Sequence, residues 1–261
     1  MSTRAASNVV LVTGATRRLG RLAAEVFAER GWDVVIHHRG PAAAADGTAE
    51  AVRHAGRRCW VLEADLCDAA ATAGLVPAAV ALAGRLDGLV NNASVFEPGR
   101  LKASGDALLD RHLTVNLRAP LVLLREFARA TDRGLVVNLL DSRIESLDWT
   151  HFVYTLSKQA LRDATRMAAL ELAPGIRVNG IAPGPVLPPE DLDPGYLARR
   201  VAETPLARSG GTGDVAAALR WLIDSDFVTG QVIYVDGGQH LDPYKRGAGG
   251  GGPGTVPDPA P

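Results

Sequence analysis

The chain has 261 residues, a formal net charge of −1, and 47% hydrophobic against 22% charged residues. That is ordinary globular composition, and it excludes a chain disordered throughout. The near-zero charge gives no electrostatic reason to expect nucleic acid, no apolar run is long enough to span a bilayer, and Cys59 and Cys67 stand at a spacing that fits neither a CxxC redox pair nor a zinc site.

Residues 1–8, MSTRAASN, run into a strand with no signal-peptide pattern, so a cytoplasmic location is expected. From there strands and helices alternate. Strand Val9–Thr13 leads to helix Leu19–Gly31, strand Val34–His37 to helix Pro41–Gly56, and strand Arg58–Leu62 to helix Asp68–Gly84. Strand Leu86–Asn91 leads to one long helical stretch, Ser104–Thr131, and strand Gly134–Leu140 to helix His151–Leu172. Strand Ile176–Ile181, helix Gly213–Asp224 and strand Val232–Val235 close the series. Runs such as VVLV are apolar at every position, the pattern of a strand buried on both faces and hence of a parallel sheet covered by helices. The fold class is α/β, a doubly wound domain over residues 9–241. Proline-rich 183–205 reads as a loop of functional length, a substrate lid, and the tail 242–261, with 6 glycines and 5 prolines, as disordered.

The first strand is followed by Thr13-Gly14-Ala15-Thr16-Arg17-Arg18-Leu19-Gly20 at the start of a helix. Gly14 permits a sharp turn, Gly20 permits close packing, and the N–H groups of the helix start suit a pyrophosphate. The second strand ends in His37-His38-Arg39-Gly40 without an acidic residue to take a ribose 2′-hydroxyl. Arg17, Arg18 and Arg39 suit a 2′-phosphate instead, so NADPH is the expected cofactor; the alternative is three solvated arginines. Asp33 precedes the strand and comes too early to bind the ribose. Asp65, after the third strand, either meets the adenine amino group or caps the next helix.

Tyr154 and Lys158 stand four apart on one helix face. With 4 tyrosines and 3 lysines in the chain, chance gives roughly 0.05 such pairs. An ammonium beside a phenol is expected to lower the phenol's pKa, so that it can pass a proton to an atom near the site of hydride arrival.

TGATRRLG, Asn91-Asn92-Ala93-Ser94, Asn116, Tyr154-x-x-x-Lys158, Pro183-Gly184 and Asp236-Gly237-Gly238 together resemble the short-chain dehydrogenase/reductase family. The resemblance implies a Rossmann-like domain with a seven-stranded parallel sheet, hydride transfer from a nicotinamide cofactor, and a homotetramer. It makes Tyr154 the acid/base, Lys158 the holder of the nicotinamide ribose, and Asn116 the anchor of a relay water. Besides Gly14, Arg17, Arg18, Leu19, Gly20, His38, Arg39 and Asp65, the expected cofactor contacts are Leu66, Asn92, Ala93, Ser94, Tyr154, Lys158, Pro183 and Gly184.

Three departures from the family pattern stand out. Arg18 replaces the second loop glycine, NNAS replaces NNAG, and Asp141 occupies the place of the catalytic Ser thirteen residues before Tyr154. With Phe96 two residues after NNAS, this set is similar to the pteridine reductase and dihydromonapterin reductase branch. The expected substrate is a small pterin-like heterocycle, touched by Arg18, Ser94, Phe96, Asp141, Tyr154 and Leu187. An ionised Asp141 repels the oxyanion of a reduced ketone; it makes sense if the substrate offers N–H groups, or if the carboxyl is protonated and feeds Tyr154. Phe96 is either a stacking partner for a flat ring or a core aromatic. The alternatives are a carbonyl reductase in which Ser142 serves instead of Asp141, and a non-catalytic NADPH sensor. His151 reads as a polar rim residue, Trp149 as a loop residue near the mouth, and no histidine spacing suggests a metal.

Overall fold

The computed structural model describes residues 7–188, 197 and 204–241. The tail 242–261 and most of the expected lid, 189–196 and 198–203, lie outside the described residues. The strands are β1 (Val9–Val12), β2 (Asp33–His38), β3 (Cys59–Glu63), β4 (Gly88–Asn91), β5 (Gly134–Leu139), β6 (Ile176–Pro183) and β7 (Val232–Val235). The α-helices described are α1 (Arg18–Glu29), α2 (Ala43–His54), α3 (Ala69–Ala83), α4 (Asp106–Leu113), α5 (Ala119–Ala130), α6 (Phe152–Glu171) and α7 (Thr212–Asp224).

All seven strands are parallel, in the order β3-β2-β1-β4-β5-β6-β7. The continuous apolar runs have the expected cause. Val10 and Val12 of β1 enter one core with Phe27 of α1, Val52 of α2 and Leu219 and Leu222 of α7. Val9 and Leu11 enter the other, with Leu75 of α3 and Leu123 and Phe127 of α5. Alternate side chains leave a strand on opposite faces, so a strand covered on both sides has no polar position to spare. β1 pairs with β2 on one side and β4 on the other, which makes the β1/β4 boundary the switch point where a crevice opens at the carboxyl ends of the strands.

Two expectations are corrected. The stretch Ser104–Thr131 is not one helix: a π-turn at Thr114–Arg118 separates α4 from α5, with Pro120 at the start of α5. Proline has no N–H to give the residue four before it, so the ladder is rerouted there. Asp33 lies inside β2 rather than before it. It is buried at the amino end of the strand, where its carboxylate accepts the Arg58 N–H at 2.9 Å and Arg58 Nε at 2.7 Å. It is thus at the end of the sheet away from the crevice.

Candidate active site

The crevice is a cleft of about 880 Å3. Every residue expected at the site lines it except Asn116. At the nucleotide end the glycine loop is held rigidly. Gly14 has φ +62°, and a Cβ on Gly20 would stand 2.1 Å from the Gly14 carbonyl oxygen. Asn92 Nδ2 donates to the Thr13 and Gly14 carbonyls at 2.8 and 3.0 Å, so its amide braces the loop. Thr13 Oγ1 accepts from the Asn92 and Ala93 amides at 2.9 and 3.0 Å, tying the ends of β1 and β4 together.

No side chain caps α1, and its first turn holds no acidic residue. Arg17, Arg18 and Arg39 are exposed on the cleft beside it. Arg18 has φ +51°, the left-handed conformation that its glycine counterpart adopts freely, and its Nη1 donates to the Pro188 carbonyl at 2.8 Å. The chain accepts backbone strain there of order 1–3 kcal/mol in order to carry a guanidinium on this loop. Leu19, Ala93, Pro183 and Gly184 line the walls. Asp65 accepts the Cys67 amide at 2.9 Å and Leu66 is buried behind it, while Asp68, not Asp65, caps α3.

The end of β2 holds a residue that sequence reasoning missed. His37 is buried, its Nδ1 accepts the Gly14 N–H at 3.2 Å, and its Nε2 lies 3.1 Å from the Ala64 carbonyl. An amide can only donate and a carbonyl only accept, so the ring is neutral with its proton on Nε2. Burial pushes its pKa down, in agreement. The expected contact, His38, is also buried on the cleft wall, with Nδ1 2.8 Å from the Gly40 carbonyl.

At the chemical end, β5 delivers Asp141 and α6 delivers Tyr154 and Lys158. Tyr154 Oη donates to Asp141 Oδ2 at 2.8 Å, and Asp141 Oδ1 accepts the Arg143 N–H at 2.8 Å. The carboxylate therefore faces the phenol, while Ser142 is buried in the same turn. Lys158 Nζ donates to the Leu139 carbonyl at 2.7 Å. Burial pushes the Lys158 pKa down to about 8, against the pull of Asp141.

The expectation that Lys158 lowers the Tyr154 pKa is corrected. Burial pushes it well above the ordinary phenol value, and the charge and hydrogen bond of Asp141 push it further. Taking a phenolate out of water and setting it beside a carboxylate both disfavour the charged form.

Asn116 sits in the π-turn, fully buried beneath the cleft. Its Oδ1 accepts from the Val95 amide at 2.8 Å and Ser94 Oγ at 3.0 Å. Its Nδ2 donates to the Val95 carbonyl at 2.9 Å and Ser157 Oγ at 3.2 Å. The side-chain amide is committed to protein partners and grips the loop that carries Phe96.

Phe96 is 40% exposed on the cleft and is not a core aromatic. One face stacks on His151 (4.5 Å between centroids, 6° between planes), and Tyr154 meets the ring edge-on at 4.7 Å. His151 is thus a support for Phe96. Arg143, also missed from sequence, lines the cleft, lies 5.0 Å from the Phe96 centroid, and bonds to Asp148 at 2.5 Å. Leu187 also lines the cleft; Trp149 does not reach it and lies under Arg100 at 4.2 Å. Among the described residues no cluster of His, Cys, Asp and Glu is arranged to hold a metal ion, and no helix is long and apolar enough to cross a membrane.

Comparison with known proteins places this geometry in a family. A family model described as enoyl-(acyl carrier protein) reductase matches residues 14–240. Alternative dihydrofolate reductase 1 (FolM) of Brucella canis, solved in complex with NADP, is 40% identical and superposes with a TM-score of 0.85 over 90% of this chain and 95% of that one. Pteridine reductase 1 of Leishmania tarentolae is 34% identical over 92% of this chain and 99% of its own. 3beta-hydroxysteroid dehydrogenase 1 of Eggerthella lenta is 33% identical over 92% of this chain and 97% of its own. With the glycine loop, the Tyr154–Lys158 pair and the sheet order in place, the chain belongs to the short-chain dehydrogenase/reductase family, and it is an oxidoreductase.

Proposed function

We propose that the protein is an NADPH-dependent reductase acting on a C=N bond of a pterin-like heterocycle. The observation that carries this reading is the Asp141 carboxylate bonded at 2.8 Å to the phenol of Tyr154 inside the cleft. A ketone gaining hydride becomes an oxyanion, which a carboxylate repels and a hydroxyl donor stabilises. A nitrogen heterocycle offers N–H groups that the carboxylate attracts.

The cleft fits the cofactor. The uncapped start of α1 faces the loop of Gly14 and Gly20, where a pyrophosphate meets backbone N–H groups and the positive end of the helix dipole. Arg17, Arg18 and Arg39 would take the 2′-phosphate in a region where no acidic residue follows β2. Asp65 and Leu66 would border the adenine, and Ser94, Pro183, Gly184 and Lys158 the nicotinamide half. When bound, NADPH supplies the hydride.

The remaining chemistry belongs to the chain. Tyr154 Oη holds the proton that completes the reduction at the ring nitrogen, and its raised pKa keeps that proton in place at working pH. A nitrogen that has gained the electron pair is a far stronger base than a phenolate, so transfer from Tyr154 remains downhill. Asp141 accepts the Oη hydrogen in the resting cleft; when that hydrogen turns to the ring nitrogen and leaves, Asp141, whose side chain is 22% exposed, takes a proton from solvent and passes it to Oη. Phe96 stacks on the flat ring, and Arg18 and Leu187 bound its outer edge.

The test is NADPH oxidation with dihydromonapterin, dihydrobiopterin, dihydrofolate and a diketone in parallel. Turnover of at least one of the first three, well above the diketone, supports the reading; turnover of the diketone alone overturns it.

A further inference from the structure

Phe96 is carried by a loop, and the stacking role given to it requires that the loop be fixed. Asn116 fixes the loop at Val95, as described. A second group does so from one turn earlier in the same helical segment. His112 is completely buried, and its Nε2 accepts the Glu97 N–H at 3.3 Å. Its Nδ1 lies 3.0 Å from the Leu108 carbonyl. The donor amide on one side and the acceptor carbonyl on the other leave one arrangement: a neutral ring with its proton on Nδ1 and a lone pair on Nε2 aimed at Glu97. His112 also presents its ring to Tyr154, edge to face, with centroids 6.4 Å apart.

His112 lies at the end of α4 and Asn116 in the π-turn that follows it. The loop residues they hold, Val95 and Glu97, flank Phe96. The third support comes from the first residue of α6 and the two residues before it: the Gly99 amide donates to Thr150 O at 2.8 Å, the Phe152 amide to Gly99 O at 2.9 Å, and His151 stacks on the aromatic ring itself. The ring is thus held by backbone contacts on either side of it and by a stacked imidazole.

The geometry points to His112 as a positioning residue for the substrate platform: through the Glu97 amide it sets the height of Phe96 against Tyr154. This rests on the reading of Phe96 as the stacking partner. His112 is absent from the cleft wall, and the residue it holds, Glu97, stands next to Phe96. Removing its acceptor therefore weakens substrate binding and leaves cofactor binding intact.

The experiment compares His112→Leu, which removes the acceptor, with His112→Gln, whose Oε1 can accept the Glu97 N–H. Residue-resolved amide exchange is measured alongside NADPH affinity and steady-state kinetics on whichever substrate the wild type turns over. In His112→Leu, Glu97 is expected to lose at least tenfold in protection while Val95, bonded to Asn116, keeps its own. KM is expected to rise about tenfold with kcat within threefold and NADPH affinity within twofold. His112→Gln is expected to restore KM to within threefold of the wild type. Unchanged Glu97 exchange in His112→Leu overturns the proposal, as does a loss confined to kcat. Should the leucine variant fail to fold, the glutamine variant decides through the link between the two readouts: KM that follows Glu97 protection supports the proposal, and a change in one without the other overturns it. The exchange measurement needs no substrate, so a mistaken pterin assignment and a mistaken role for His112 give different results.

Discussion

Asp141→Asn is the most informative single change. The two carboxylate oxygens have separate duties: Oδ1 accepts the Arg143 amide at 2.8 Å and Oδ2 accepts the Tyr154 hydroxyl at 2.8 Å. Asparagine keeps the shape and the first of these bonds, so the cap of the short helical turn at Ser142–Glu145 survives. It places an NH2 where the phenol needs an acceptor, and it removes the group that can relay a proton. A hydrogen bond to a charged group contributes about 1.5–3 kcal/mol, and loss of a positioned proton-transfer group costs typically 10²–10⁴-fold in rate. We expect kcat/KM for the pterin to fall about 100-fold or more, with NADPH affinity within twofold and the thermal midpoint within about 3 °C, a shift corresponding to about 1–1.5 kcal/mol in a chain of this size. Initial rates of NADPH oxidation, a cofactor titration and a thermal melt measure all three. Pterin kcat/KM within threefold of the wild type refutes the role of Asp141.

Other consequences follow from the same geometry. Phe96→Ala should raise KM more than it lowers kcat, because stacking binds ground and transition states alike; an unchanged KM removes Phe96 from the site. Gly20→Ala should abolish NADPH binding or folding, since the new methyl stands 2.1 Å from the Gly14 carbonyl oxygen; a variant that binds NADPH normally contradicts the account of the loop. Arg39→Ala should weaken NADPH about tenfold and leave NADH within twofold, as read by cofactor titration; equal losses for both would place Arg39 away from the 2′-phosphate. Lys158 has a folded-state pKa pushed down to about 8 from an ordinary 10.5. Between those values the unfolded chain holds a proton that the folded one has released, so stability gains with rising pH by up to about 1.4 kcal/mol per unit. Urea unfolding from pH 7 to 10 should show this gain in the wild type relative to Lys158→Met, and a constant difference between the two would contradict it.

The fold was legible because its signals are local. VVLV reports burial on both faces within four residues, and the loop from Gly14 to Gly20 and the Tyr154–Lys158 spacing each lie within two helical turns. What escaped the sequence depends on partners distant along the chain. His37 meets Gly14 across 23 residues, Asn116 meets Val95 across 21, and His112 meets Glu97 across 15. Nothing near a histidine in sequence says that an amide donor and a carbonyl acceptor will close on its two nitrogens. The phenol of Tyr154 was misjudged for the same reason. The Lys158 charge is visible four residues away, whereas the burial and the inward turn of Asp141 that outweigh it appear only in three dimensions. The break at the π-turn did have a signal, Pro120 inside a long helical pattern, and the helical periodicity on either side outweighed it.

On the function proposed above, the carboxylate at position 141 selects a nitrogen heterocycle over a ketone. The most direct measurement is the ratio of kcat/KM for a dihydropterin to that for a diketone, with saturating NADPH, in the wild type and in Asp141→Ser. The expected ratio is well above 1 in the wild type and falls at least 100-fold in the serine variant, with diketone turnover rising. A ratio that is the same in both proteins contradicts it.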